Sequence, residues 1–177
     1  MIKKIVDVKN PILRAKAKTV VKIDKKIKEL IDNMKDTLES QKDPEGVGLA
    51  APQLGKSVRV FVVSYKELKR VIINPVILEI SKEKKLSKTK KKKNKILEGC
   101  LSLPHFYGPI KRSSKIKIEY MDELGEKKSE EFSGFNAQII QHEIDHLNGI
   151  LFIDHILKQK APLYKFGEDG WEEVELI

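Results

Sequence analysis

The stretch FNAQIIQHEIDHLNG (Phe135–Gly149) decides both how this chain folds and where its chemistry lies. Its apolar residues fall on more than one side of a helical repeat, and its Asn-Gly end is a helix stop, so it predicts a buried helix. Within it, His142, Glu143 and His146 form an H-E-x-x-H pattern, which is typical of metal hydrolases. Because residues four apart share a helix face, both imidazoles can point at one ion. Chance is the poorer explanation, since buried imidazoles need polar partners.

Other segments predict the elements around this helix. Asp24 is a candidate N-cap for an amphipathic helix over residues 24–42, whose apolar stripe would face a core. Residues 57–64 and 70–80 are short and rich in β-branched side chains, which predicts strands. Residues 114–134 alternate around the turn D-E-L-G, which predicts a hairpin. Strands that precede the main helix indicate an α+β fold, with mixed or antiparallel sheets packed around a central buried helix.

Length and charge limit the class of protein. The 177 residues fit a single catalytic domain over 1–177 and are enough to bury a core. The net charge is +9, and the run from Lys82 to Lys95 carries +8 of it, with nine lysines and one glutamate. The excess is therefore one low-complexity segment, which we predict to be an exposed loop rather than a basic binding face.

The sequence favours a cytoplasmic location. No apolar run approaches the ~20 residues of a membrane helix, and the N-terminal residues lack the long apolar core of a signal peptide. The single cysteine, Cys100, cannot form an intramolecular disulfide, so nothing requires an oxidising compartment. We therefore expect no membrane contact.

The H-E-x-x-H pattern supplies two ligands, and a metal ion needs a third. In one group of metalloproteases the pattern continues to a further histidine, but Phe152 occupies that position here. Asp154 and His155 lie just beyond it, and Cys100 lies upstream in EGCLS. Cys100 is the best candidate, because a thiolate is a strong ligand that a metal keeps deprotonated. A Cys–His₂ set also leaves one coordination position open, as catalytic sites do.

Three motifs follow one another along the chain. They are GVGLAAPQ (Gly46–Gln53), EGCLS (Glu98–Ser102) and QHEIDH (Gln141–His146). Together with NPILRAKAKTV near the start and NGILFIDHI near the end, they resemble the peptide deformylases over nearly the whole chain. The resemblance implies a monomeric α+β metalloenzyme that removes the N-formyl group from the N-terminal methionine of new polypeptides and releases formate.

The resemblance also implies that three residues bind the ion, one acts as general acid/base and two donate to an oxyanion. The implied metal ligands are Cys100, His142 and His146, and the implied general acid/base is Glu143. The implied oxyanion donors are the Gln53 side chain and the Leu101 backbone N–H. Donors aimed at developing charge provide preorganised electrostatic stabilisation. The family's metal is usually Fe²⁺, with Zn²⁺ or Ni²⁺ as alternatives, and a Cys–His₂ set also suits Co²⁺.

Small side chains in GVGLAAPQ and EGCLS would let a substrate backbone come close. We expect an extended formyl-methionyl peptide to pair with the first of these segments as an added strand. The substrate-binding candidates are Val47, Gly48, Glu98, Gly99, Phe135 and Ile139. Among them, the apolar residues are expected to hold the methionine side chain, and Glu98 either lines this pocket or supports the site. Asp145 is not needed as a ligand, so we expect it to pair with Arg112.

Two other functions stay open at this point. One is a different zinc peptidase or amidase that uses Asp154 or His155 as the third ligand, and replacing Cys100 would discriminate it. The other is a basic ribosome- or RNA-binding protein that acts through Lys82–Lys95, and salt-dependent binding would reveal it. A deformylase could also touch ribosomes transiently, although we expect no specific nucleic-acid partner. The tail after residue 160 lacks the pattern of a long helix with basic ends.

Overall fold

The structure is a computed structural model that describes residues 1–81 and 97–175. The run Lys82–Lys95, predicted above to be an exposed loop, lies outside the described residues. The α-helices are α1 (Lys25–Ser40), α2 (Gly134–Leu147) and α3 (Phe152–Gln159). The strands are β1 (Gly48–Ala50), β2 (Val60–Tyr65), β3 (Leu68–Ile80), β4 (Glu98–Cys100), β5 (Leu103–Gly108), β6 (Lys115–Met121), β7 (Lys127–Ser133), β8 (Leu163–Gly167) and β9 (Gly170–Val174).

These strands form two antiparallel sheets. One has five strands in the order β1-β2-β3-β6-β7, and the other has four in the order β4-β5-β8-β9. All neighbouring pairs of these strands are antiparallel. The prediction of an α+β fold with antiparallel sheets is confirmed, and so is the hairpin at residues 114–134, which is β6 and β7.

Helix α1 begins where its cap predicts. The side chain of Asp24 accepts a hydrogen bond from the backbone N–H of Ile27 at 2.9 Å, which satisfies a free donor of the first turn. On one face, Ile31, Met34 and Leu38 are buried in a cluster with residues of β2 and β3. This amphipathic helix therefore covers one side of the five-stranded sheet.

Helix α2 packs in the largest apolar cluster, together with side chains of β2, β3, β6 and β7. Its buried apolar residues include Ile139, Ile140, Ile144 and Leu147. The same helix also buries four polar side chains, which are Gln141, His142, Glu143 and His146. Since buried polar groups need partners, the residues around this helix decide what it can do.

The end of α2 is fixed by its Asn-Gly signal. Asn148 is the C-cap, and Gly149 follows with a left-handed φ of 74°. A Cβ at Gly149 would lie only 2.4 Å from the backbone oxygen of Arg14. The glycine is therefore required both by conformation and by the close approach of the N-terminal segment.

Two segments differ from the simplest interpretation of the sequence. Residues 43–55 are rich in Gly and Pro, a composition typical of loops, yet they contain β1 and a short 3₁₀ helix at Ala51–Leu54. The tail folds as the β8–β9 hairpin and follows the short helix α3. In the ranges 1–81 and 97–175, no helix has the length and apolar character needed to cross a membrane.

Candidate active site

Helix α2 and strand β4 bring three potential metal ligands together. His142 and His146 lie one turn apart on α2, and Cys100 ends β4. Their ligand atoms all lie within 4.8 Å of one another, and no other such group of three occurs in the described part of the chain. Cys100 Sγ is 3.3 Å from His146 Nε2, which is 3.2 Å from His142 Nε2. The other two candidate ligands are engaged elsewhere: Asp154 pairs with Arg14, and His155 lies 2.8 Å from Asp145.

The spacing and chemistry of these three residues fit a divalent cation. Tetrahedral bonds of the lengths that Zn²⁺ makes with sulfur and imidazole nitrogen would place ligand atoms roughly 3.3–3.6 Å apart. The observed separations of 3.3 and 3.2 Å are close to that range. Two ring nitrogens that face each other at this distance cannot both carry a hydrogen between them, so at least one of them presents a lone pair to its neighbour. A thiolate and two neutral imidazoles are a ligand set for Fe²⁺, Co²⁺, Ni²⁺ or Zn²⁺.

Glu98 fixes the orientation of His142. Its Oε1 accepts from His142 Nδ1 at 2.7 Å, which leaves the Nε2 lone pair free to face Cys100 and His146. Arg112 donates to both oxygens of Glu98 at 2.6 Å, and Gln138 donates to Oε2 at 3.2 Å. The carboxylate therefore receives four hydrogen bonds. Burial acts to raise the pKa of Glu98, but the hydrogen bonds from Arg112 and His142 outweigh it and hold this pKa well below its usual range.

A second carboxylate extends this network behind the site. Arg112 donates to Asp145 at 2.9 Å, as expected from the sequence, and His155 lies 2.8 Å from the same oxygen. The side chains of Arg112 and Glu98 are only 7% and 5% exposed. Burial acts to lower the pKa of Arg112, but the hydrogen bonds and charge of Glu98 raise it, so the guanidinium stays charged. Opposite charges are thus paired and hydrogen-bonded where water cannot solvate them.

Glu143 is buried beside the three potential ligands but is not part of their group. It is 3% exposed, and its Oε2 has no hydrogen-bond partner in the described residues. Burial raises the pKa of Glu143 to about 7. A carboxyl group of this pKa can both accept and return a proton near neutral pH. Since buried polar atoms are usually paired, Oε2 is available to contact a proton, a water molecule or a ligand.

Gln53 points its amide toward the cysteine. The backbone N–H of Ala50 donates to Gln53 Oε1 at 2.9 Å, which fixes which end of the amide faces inward. Its Nε2 lies 3.6 Å from Cys100 Sγ and 3.3 Å from Ser102 Oγ. The side chain is buried at 1% exposure. A donor is therefore held next to the potential metal ligands.

Many of these groups line one cleft with a volume of about 310 Å³, whereas Arg112, Asp145 and His155 do not contribute to its lining. The six substrate-binding candidates lie in it, and so do Gln53, Cys100, Leu101, His142 and Glu143. Of the predicted site residues, only His146 is not in its lining, since it lies behind the other two potential ligands at 1% exposure. Phe135 is held by an edge-to-face contact with Tyr65, with ring centroids 4.9 Å apart.

Several residues of this cleft are not among the predicted site residues, including Leu97, His105, Tyr107 and Gln138. Tyr107 lies against Gly99, where a Cβ would come within 2.7 Å of the tyrosine ring. Gly99 is a predicted point of substrate approach, but its lack of a side chain also makes room for the ring of Tyr107. Strand register alone connects these two residues, and no local motif signals it.

Comparisons with known proteins show the family of this chain. A family model described as polypeptide deformylase matches residues 2–162. The chain belongs to the polypeptide deformylase family. A peptide deformylase of Thermotoga maritima is 42% identical over 156 residues, or 88% of each chain, and one of Dictyoglomus turgidum is 43% identical over 91% of this chain and 97% of its own.

Solved deformylase structures have the same fold. The crystal structure of the Thermotoga maritima peptide deformylase superposes with a TM-score of 0.77 at 41% identity, and covers 88% of this chain and 97% of its own. The peptide deformylase of Synechococcus elongatus, solved in complex with actinonin, has a TM-score of 0.74 at 34% identity, with 85% and 76% covered. The protein is therefore an enzyme of the deformylase family, and the resemblance found in its motifs is confirmed.

Proposed function

We propose that this chain is a divalent-metal hydrolase that removes the N-formyl group from the N-terminal methionine of newly made polypeptides. The observation that carries the proposal is the convergence of Cys100, His142 and His146 beside a buried Glu143, in one cleft of a deformylase-family chain. Residues 1–177 form one catalytic domain in this proposal, with the H-E-x-x-H helix at its centre. It acts as a monomer in the cytoplasm, with at most transient ribosome contact.

Cys100, His142 and His146 hold the ion, and Glu98 keeps His142 in the tautomer that binds it. When bound, the divalent ion supplies a Lewis acid that polarises the formyl carbonyl and makes water a better nucleophile. Fe²⁺ is the proposed native ion, and Zn²⁺, Ni²⁺ or Co²⁺ suit the same ligands. The thiolate of Cys100 leaves the loaded site less positive than three neutral ligands would.

Glu143 moves the proton in this reaction. Its carboxylate accepts a proton from the attacking water, and then donates it to the amine nitrogen as the carbon–nitrogen bond breaks. The Gln53 side-chain N–H and the Leu101 backbone N–H donate to the carbonyl oxygen while negative charge develops on it. Water adds to the carbonyl carbon, so the products are formate and a polypeptide with a free amine.

The cleft walls orient the substrate. The backbone at Val47 and Gly48 pairs with the extended peptide, and Gly99 lets it pass close to β4. Val47, Phe135 and Ile139 surround the methionine side chain. In this proposal Glu98 positions His142 rather than contacting the substrate, and its four internal hydrogen bonds support that role.

The direct test is formate release from formyl-Met-Ala-Ser by protein purified without oxygen and loaded with Fe²⁺. The matched control is acetyl-Met-Ala-Ser, which adds one methyl group at the reacting carbon. We expect turnover of the formyl peptide and little of the acetyl peptide. Cleavage of internal peptide bonds, or activity that survives loss of Cys100 together with full metal content, would support the alternative peptidase instead.

A further inference from the structure

An aromatic surface extends from the active-site cleft onto the C-terminal hairpin. Residues paired across neighbouring strands point to the same face of a sheet. Tyr107 of β5 pairs with Tyr164 of β8, and Phe166 of β8 pairs with Trp171 of β9. These four aromatic side chains therefore share one face of the four-stranded sheet, and we call them the aromatic face.

The aromatic face is not a core. The opposite face of this sheet is the packed one, where Phe106, Leu163 and Val174 join the apolar cluster around α3. By contrast, Phe166 and Trp171 are 46% and 56% exposed. Trp171 contacts Tyr107 edge-to-face with ring centroids 5.4 Å apart, and its ring lies 5.0 Å from that of Phe166. The rings of Tyr107, Trp171 and Phe166 thus form a continuous row, and the last two of them are exposed to solvent.

One end of this row lies inside the active-site cleft. Tyr107 lines the cleft, and its ring rests on Gly99, directly before Cys100. The other rings lie outside the cleft lining. The aromatic face is therefore continuous with the site where the formyl-methionyl end would react.

The hairpin also lies outside the part of the chain that matches the family. The match ends at residue 162, and β8 begins at Leu163. Tyr164, Phe166 and Trp171 thus belong to a segment beyond the residues that carry the shared catalytic site. A role in handling this protein's substrates fits that position better than a role in the reaction itself.

We infer that the aromatic face is an extended subsite for the residues of the polypeptide substrate that follow the formylated methionine. The inference rests on the proposed function. A cleft of about 310 Å³ is too small to hold a whole polypeptide. The residues that follow the formylated methionine therefore leave the cleft. Rings spaced 5.4 and 5.0 Å apart span roughly three residues of extended chain.

Charge indicates which residues this subsite accepts. Glu173 pairs with Tyr164 and so shares the aromatic face, and Glu168 and Asp169 form the turn of the hairpin, whereas Lys165 and Glu172 pair with each other on the opposite face. Aromatic rings attract both apolar side chains and cations. The subsite therefore favours leucine, lysine and arginine over aspartate and glutamate a few residues after the methionine.

The test compares kcat/KM for a formyl-methionyl dipeptide amide with that for formyl-Met hexapeptides that carry Leu-Lys-Leu or Glu-Glu-Glu at positions four to six. We expect wild-type protein to prefer the Leu-Lys-Leu peptide. Trp171→Ala should lower the ratio of kcat/KM for the Leu-Lys-Leu hexapeptide to kcat/KM for the dipeptide amide by roughly two- to tenfold, through a higher KM for the hexapeptide. Trp171→Phe should restore most of this ratio. The matched control is Leu124→Ala in the β6–β7 turn, which removes a side chain that is 80% exposed far along the other sheet.

Other outcomes separate the possible explanations. Equal loss on the dipeptide and hexapeptide would make Trp171 a structural support for Tyr107 and overturn the subsite. A ratio of kcat/KM values that Trp171→Ala leaves unchanged would overturn the subsite as well. A concentration-dependent change in oligomeric state caused by Trp171→Ala would instead assign the aromatic face to contact with a second copy of the chain. If the wild-type protein released formate from neither peptide, the proposed function itself would fail.

Discussion

The Oε1 atom of Glu143 occupies the space that a side chain at Gly48 would fill. A Cβ at Gly48 would lie 2.3 Å from Oε1 and 2.8 Å from Cδ of Glu143. Strand β1 and helix α2 thus approach so closely at this point that the carboxylate position depends on a missing methyl group.

The first prediction follows from this contact. Gly48→Ala should lower kcat by about 10²-fold or more, because displacing the general base loses much of its contribution, while metal content stays near that of the wild type. Formate release and elemental analysis would measure the two effects. Gly167→Ala is the matched control, because its added methyl meets nothing within 4 Å. Loss of metal in Gly48→Ala would mean that the substitution displaces the metal ligands rather than Glu143 alone.

The second prediction concerns proton transfer. Glu143→Gln should keep the metal and lower turnover by ~10²–10⁴-fold, since the amide has the shape of the carboxylate but cannot accept the proton. Turnover and metal content are measured on the same preparation. Metal content that falls in step with activity would make Glu143 a ligand rather than a base.

The third prediction separates the candidate third ligands. Cys100→Ala should lose most of the bound metal, whereas Cys100→Asp should keep part of it, because a carboxylate is also a ligand. His155→Ala is the comparison variant and should retain the ion. In the wild type, an alkylating reagent should modify Cys100 slowly with metal bound and faster after chelation. Equal rates in both conditions would show that the sulfur is not on the ion.

The fourth prediction concerns acid stability. The pKa of Glu98 in the folded protein is held below its ordinary value of 4.5, so the unfolded chain binds more protons as pH falls below that value. The stability contributed by ionised Glu98 is therefore present above about pH 4.5 and is lost as pH falls toward the folded-state pKa.

Glu98→Gln should remove this contribution. At neutral pH it should lower the free energy of unfolding by about 3–5 kcal/mol, because Arg112 is left buried with less compensation. Urea unfolding of metal-free protein at several pH values would measure it. The difference in the free energy of unfolding between wild type and variant should decrease as the solution becomes acidic. A difference that does not change with pH would assign the lost stability to packing alone.

Local patterns were enough to predict part of this structure. Asp24 caps α1 through a hydrogen bond between residues three apart, and the β6–β7 hairpin closes through its own turn. Such features depend on neighbours in sequence, so sequence patterns find them. The placement of His142 and His146 on one face follows in the same way from helix geometry.

Other features depend on partners that are distant in the chain. Residues 48–50 look like loop but become a strand, because β2 offers them an antiparallel partner. Gln138 gave no signal, since its role is a contact with Glu98 across 40 residues. Tyr107 meets Gly99 only through the register of β4 and β5, and Trp171 meets Tyr107 only after β8 has joined that sheet. Tertiary contacts of this kind leave no periodic trace in the sequence.

The placement of Cys100 on one sheet and of His146 on helix α2 has a mechanical consequence. An ion held between them would cross-link two elements across 46 residues of chain. By the loop-entropy relation used for covalent bridges, a cross-link of that span raises the free energy of the unfolded chain by roughly 4 kcal/mol. The ion would then stabilise the folded protein as well as take part in the reaction. A shortage of metal would therefore lower the stability of the fold together with the activity.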